Sequence, residues 1–306
     1  MIKTLFSTIL LCTSFSASAL TCFPESGPID EIEDIGKVSV PRDAPIGTRL
    51  WTSKEITRNV SCKSDGHKEY VYFYGNPDNA PVRKGIGMGI IYNGRDLGIV
   101  QTGSKEQTDI YVNGTSPSKG AIKFQVYLQK TGDIGGGTSF KSIAVFQLDG
   151  KGGINATPGS NYRYSAGGIN NIKVTNCSVD ISVPSEIDFG VVSWDTKSQI
   201  VGTRDIVVRG IKSSECKNTD KLGVDLIFDP IGNLENGNKH FNLENGSVLR
   251  LMEGVSPVEF RSPVRFWNDV ATGNIKERAY RAEILSTGAA LTGDYSHSIM
   301  VHVNYF

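Results

Sequence analysis

The sequence predicts an all-β protein built from two sandwich-like domains in tandem. Three observations carry that expectation. Short runs of alternating apolar and polar residues, rich in Val, Ile, Tyr, Phe and Thr and punctuated by Gly, Asn and Asp, recur along the 306 residues, and helical periodicity is missing. Cys22 and Cys62 lie 40 positions apart, and Cys177 and Cys216 lie 39 apart. A longer motif also repeats: Lys130-Thr131-Gly132, Gly137 and Ser142-Ile143-Ala144-Val145 match Ser286-Thr287-Gly288, Gly293 and Ser298-Ile299-Met300-Val301, at a constant offset of 156. Two copies of one β domain account for all three, and the length suits about two domains.

Residues 1–19 read as a secretory signal: Lys3 gives the positive start, Leu5 to Phe15 the apolar stretch, and Ala17-Ser18-Ala19 the cleavage site. No later apolar run is long enough to span a membrane, so an exported, soluble protein in an oxidising compartment is expected. Of the five cysteines, Cys12 leaves with the signal. Four cysteines allow three pairings, and the two near-equal spacings favour Cys22–Cys62 and Cys177–Cys216. Zinc requires tighter ligand clusters, so no metal or other cofactor is expected. With 32 basic against 32 acidic residues, nucleic acid is not an expected partner.

In the first domain, residues 20–166, strands are expected over Lys37–Val40, Glu55–Ser61, Tyr70–Tyr74, Gly87–Tyr92, Asp109–Val112, Ala121–Gln129, Ser142–Leu148 and part of Ile154–Ser165. Ala121–Gln129 alternates well, with Ile122, Phe124, Val126 and Leu128 on one face, and Asn93-Gly94 is a hairpin turn. Residues 167–171 are Gly- and Asn-rich and read as a linker. In the second domain, residues 172–306, strands are expected over Val179–Val183, Asp205–Ile211, Gly223–Phe228, Ser247–Met252, Glu259–Trp267, Ala279–Leu285 and Ser296–Phe306.

The repeat exposes a difference between the copies. In the first, the strand Ser142–Leu148 is followed by a turn at Asp149–Gly153 and another extended run. In the second, the equivalent strand is the last stretch of the sequence. The second sandwich is therefore expected to be one strand short, leaving an apolar groove and unpaired backbone that another chain fills by β-augmentation.

These residues resemble the subunits of chaperone–usher fimbriae, in particular a two-domain tip adhesin. The resemblance rests on the Cys177–Cys216 pair, the alternating C-terminal strand, the penultimate aromatic Tyr305 and Gly293, fourteenth from the end. It covers residues 172–306 directly and the first domain only through architecture and its cysteine pair. It implies two immunoglobulin-like sandwiches, the C-terminal one incomplete and lacking its last strand. A periplasmic chaperone lends a strand there, and the next fimbrial subunit later replaces it, with an outer-membrane usher guiding assembly. Ile299, Val301, Val303 and Tyr305 then line the acceptor groove, Phe306 presents its carboxylate to the chaperone, and Gly293 marks where the strand begins. Cleavage after Ala19 leaves only Leu20 and Thr21 before Cys22, so no donor strand is expected, and the subunit belongs at the fimbrial tip on the cell surface.

The first domain then becomes the receptor-binding one, for a host glycan or matrix protein. Its candidate site is the loop cluster at the Cys22–Cys62 end, which holds Asp65, His67, Asn113 and Asp149. Such side chains bind sugar hydroxyls, and they also favour turns. Trp51 and Tyr70–Tyr74 offer aromatic surface, although alternation in a strand accounts for them as core and surface. A minor pilin that initiates or caps the fibre without binding a receptor is the alternative. An enzyme is not expected: G-x-S-x-G, H-E-x-x-H and P-loop patterns are absent.

Overall fold

The computed structural model describes residues 20–137, 140–155, 157, 159–193, 199–217, 221–288, 291 and 293–306. The expected signal segment lies outside the described residues. The chain is all-β, and its strands surround two separate hydrophobic cores.

The first core is enclosed by β1 (Thr21–Pro24), β2 (Asp30–Asp34), β3 (Ser39–Pro41), β4 (Arg49–Thr52), β5 (Ile56–Lys63), β6 (Lys68–Gly75), β7 (Ile86–Tyr92), β8 (Arg95–Ile99), β9 (Lys105–Asn113), β10 (Ser118–Lys130), β11 (Ser142–Asp149) and β12 (Arg163–Gly167). One sheet runs β1-β5-β10-β7-β8, with β4 also on β10; the facing sheet runs β2-β12-β11-β6-β9. The alternation in β10 works as its sequence demands: Ile122, Phe124, Val126 and Leu128 are buried against the other sheet. Phe146 of β11 meets Phe124 and Phe73 edge to face, with ring centroids 5.0 and 4.7 Å apart, a geometry that aromatic quadrupoles favour.

The chain then passes through a 3-10 turn (Ile169–Asn171) and β13 (Lys173–Thr175), which lies parallel to β3. This passage is held to the first core, since Ile169 and Ile172 are buried in it. The second core begins at Cys177. It is enclosed by β14 (Val179–Ser182), β15 (Ile200–Lys212), β16 (Val224–Pro230), β17 (Leu234–Glu235), β18 (His240–Asn242), β19 (Ser247–Glu253), β20 (Ser256–Pro257), β21 (Val264–Trp267), β22 (Ile275–Ser286) and β23 (Ile299–Tyr305). One sheet runs β14-β15-β22-β19-β18-β17, and the other β21-β16-β23.

The two halves follow one plan. A disulfide sits at an equivalent antiparallel pair in each half: Cys22 of β1 to Cys62 of β5, and Cys177, just before β14, to Cys216, just after β15. β10 lies between β5 and β7 as β22 lies between β15 and β19. β6 lies between β9 and β11 as β16 lies between β21 and β23. The plan departs at one place: β11 pairs with β12 on its far edge, and β12 in turn with β2, whereas β23 has β16 alone as a neighbour among the described residues.

Several strand expectations need correction. Glu259–Trp267 is a strand only from Val264, because Arg261 takes φ 58°, outside the extended region, and Phe260 turns into the core. The last strand starts at Ile299, not Ser296. β1, β2, β4 and β8 add strands where none is expected.

Candidate functional site

β23 presents two faces of different chemistry. Ile299, Val301 and Val303 point to the second core but are only half-buried, and Tyr305 closes the row. At the equivalent offset in β11, Ile143 and Val145 are 3% and 0% exposed. The sheet edge and the apolar row of β23 are thus open where those of β11 are sealed. Residues 183–193 follow β14 as β2 follows β1, but they form no strand, and they expose Val183, Ile187 and Val191. Phe189 and Val192 of this segment pack on the core beside Ile181 and Val201, and Arg204 Nε holds it by donating to the Asp188 carbonyl at 2.7 Å. An extended apolar strand is the shape that completes such an edge, because backbone pairing and alternate side-chain contacts are then made together.

The end of β23 is anchored. The Tyr305 hydroxyl donates to the Val179 carbonyl (3.0 Å) and receives the Val179 amide (3.3 Å), bridging the two sheets beside Cys177. Burial pushes this phenol up to about 12. Phe306 and Gly223 exchange backbone hydrogen bonds of 3.1 and 3.0 Å. The Phe306 ring lies on Gly223 so closely that a Cβ there would sit 1.9 Å from it. The Arg265 guanidinium covers that ring at 3.9 Å. Gly293 adopts φ 145°, a conformation that favours glycine, ahead of the strand.

The other face of β23 meets the first half. Asn304 is buried; its side-chain oxygen accepts the Thr52 amide (2.8 Å), and its nitrogen donates to the Thr52 carbonyl (2.7 Å). The His302 ring nitrogen lies 3.1 Å from Arg49 Nη1 and 3.3 Å from Asp229 Oδ2. Arg261 bridges Asp229 and Glu55, at 3.0 Å each. Burial alone raises the Asp229 carboxyl; hydrogen bonds from His302 and Arg261 outweigh it and hold the group below its ordinary range. Trp51, Lys37, Lys54, Arg265 and Phe306 line a cleft of about 340 Å³ beside this contact.

In the first half, Asp65 and His67 occupy the β5–β6 turn and Asn113 ends β9, all three exposed. The two turns are joined: the Ser64 amide donates to the Gly114 carbonyl (3.1 Å) and the Gly114 amide to the His67 carbonyl (3.0 Å). Since Ser118 pairs with Cys62, the cluster lies at the disulfide end. Asp149 is different. It is 2% exposed, and its carboxylate accepts the Gly150 and Asn155 amides and Gln147 Nε2. Burial pushes its carboxyl up. It clamps its own loop and offers no atom to a receptor. Tyr70, one of the aromatic candidates, is exposed and lies across from Tyr111, which sequence reasoning did not single out, on β6 and β9; only the sheet order reveals that their face is uncovered. Among the described residues, no group of three or more His, Cys, Asp or Glu is placed to hold a metal ion.

No protein-family model matches the sequence. Solved structures similar to the chain include the CupB6 tip adhesin of Pseudomonas aeruginosa (14% identity, TM-score 0.33, 94% of this chain and 93% of that one). Another is the receptor-binding domain of the plasmid-borne adhesin MrkD1P of Klebsiella pneumoniae (15%, 0.32, 51% and 95%). A third comes from the chaperone–tip subunit pre-assembly complex of CsuC and CsuE, from the Csu pili of Acinetobacter baumannii (13%, 0.26, 92% and 99%). These three are named as a tip adhesin, an adhesin's receptor-binding domain and a chaperone–tip subunit complex, and a rod subunit of the P pilus is also among the similar structures.

Proposed function

We propose that this chain is the tip adhesin of a chaperone–usher fimbrium, a binding protein and not an enzyme. Residues 172–306 form the pilin domain and accept a strand along the free edge of β23, first from a periplasmic chaperone and then from the next subunit, with an outer-membrane usher in the path. Ile299, Val301, Val303 and Tyr305 are the groove contacts. Residues 20–166, joined through 167–171, form the domain that attaches to a host glycan or matrix protein from the fibre tip at the cell surface. The observation that supports this reading is the edge of β23, unpaired among the described residues where its counterpart β11 carries β12. An unpaired edge beside half-open apolar side chains is a costly feature unless it is filled.

The test is complementation. The mature chain is melted with and without an alternating apolar peptide, or with such a strand fused after Phe306 through a short turn. Ligand present at a hundred times its dissociation constant should stabilise by about 2.7 kcal/mol. A chain that melts identically in all three forms and stays monomeric in each has no vacant strand position, and the reading is then lost.

A further inference from the structure

We infer that the outer face of β6 and β9 is a stacking platform for a neutral glycan chain, with Tyr70, Tyr72 and Tyr111 as its contact rings. This deepens the receptor-binding role proposed for the first half and rests on it. Three successive outward positions of β6 are tyrosine, whereas Val71 and Phe73 between them fill the core. Tyr74 is covered, its hydroxyl donating to the Gly150 carbonyl at 2.6 Å. Tyr70 and Tyr111 are not: they are 40% and 46% exposed, with ring centroids 5.0 Å apart and planes at 63°. A cross-strand aromatic pair lends the sheet a little stability, but neither ring fills the core. Contiguous exposed aromatic surface is a mark of recognition, and tyrosine gives large contact area for little lost side-chain freedom.

The surroundings select the ligand. Tyr72 pairs in register with Gln107, its hydroxyl 3.5 Å from Gln107 Oε1, and Lys68 pairs with Asn113. Amide groups therefore flank the rings at both levels, suited to hydroxyls that both donate and accept. Lys105 closes one end, its ammonium 5.1 Å from the Tyr72 ring centroid and donating to the Lys151 carbonyl. At the other end stand Asp65, His67 and Asn113 on their joined turns. Lys68 and Lys105 share the strip with the exposed Asp65, while the Asp109 carboxylate turns to Tyr92 of the facing sheet and to Asn93 just after it. No single sign of charge dominates, so neither a sulfated or sialylated glycan nor a polycation is matched. A sugar's C–H face against the rings, with its hydroxyls toward Gln107 and Asn113, uses every feature of the strip.

The full mature chain is applied to arrayed neutral oligosaccharides, to sialylated and sulfated ones, and to immobilised collagen. The expected result is binding to a neutral oligosaccharide that Y70A/Y111A weakens about tenfold or more, while Y70F/Y111F keeps most of it. Both variants should stay folded, Y70A/Y111A with a melting temperature only slightly lowered by loss of the cross-strand pair, since neither ring is in the core. Neutral-glycan binding unchanged in Y70A/Y111A overturns the platform and leaves the adhesin reading standing. Binding confined to acidic glycans or to collagen also overturns it. Binding to nothing, in a chain that still accepts the complementing peptide, removes receptor recognition itself and leaves a capping subunit.

Discussion

β11 and β23 are the same strand of one plan, built twice and finished once. Both follow the motif Ser-Ile-Ala/Met-Val, and both lie antiparallel to the middle strand of an equivalent triplet, β11 to β6 and β23 to β16. In β11 every residue after Ser142 is buried, because β12 covers its far edge. In β23 the apolar row stays half-open. Similar residues thus reach different exposure through one missing neighbour. Burial is a property of the completed sheet and not of the strand's own sequence.

The comparison is broken most severely by charge. Val145→Asp puts a carboxylate into a sealed core and should cost more than about 4 kcal/mol, enough to unfold the first half. Val301→Asp, at the equivalent offset, should cost the lone chain much less, because water reaches it, yet abolish complementation by the peptide. Thermal melts of both variants, with and without peptide, decide it; equal losses in the lone chain show that the second core is as closed as the first.

Two buried carboxylates sharpen the contrast. Asp229, held down by His302 and Arg261, contributes stability that is present above its unfolded value of 3.8 and lost as pH falls through its lower folded value. Asp149, raised by burial, has the opposite sign: its contribution is greatest below 3.8 and declines as pH rises through its folded value. Acid should therefore loosen the Arg261–Asp229 contact while sparing the 150–155 loop. Hydrogen exchange at the Glu55 amide, which donates to the Arg261 carbonyl, against that at Gly150 and Asn155, reads both. Asp229→Ala, which leaves Arg261 without one of its two carboxylates, should cost about 3–5 kcal/mol. The smallest effect belongs to Tyr305→Phe, which removes the two hydrogen bonds with Val179 and should cost about 1 kcal/mol, seen as a small drop in melting temperature.

Much of this was written in the residues. The offset of 156 and the paired cysteines placed equivalent strands in both halves, and the extra run after Asp149 pointed to the strand that only the first half has. What escaped was set by distant partners. β2 reads Asp-Glu-Ile-Glu-Asp, a poor strand former, and pairs with β12 while Glu31 accepts from Arg58 and Tyr162. Arg261 breaks an otherwise convincing strand as its side chain reaches Glu55 and Asp229 across the molecule. Asp149 reads from sequence as one of four loop residues offered to a receptor, and only the folded-back loop buries it. For Tyr70 and Tyr111, alternation fixed a face, but which face lay uncovered depended on sheet order.

Asn304 has a further consequence. Side chains in a strand alternate, so a slip of one position would send Asn304 inward and Val303 or Tyr305 toward Thr52. Its twin hydrogen bonds to Thr52 therefore act as an index pin, fixing the alignment of β23 from outside the core it serves. A strand with one uncovered edge needs something permanent to record where its place is, and here the record is kept by the other half of the molecule.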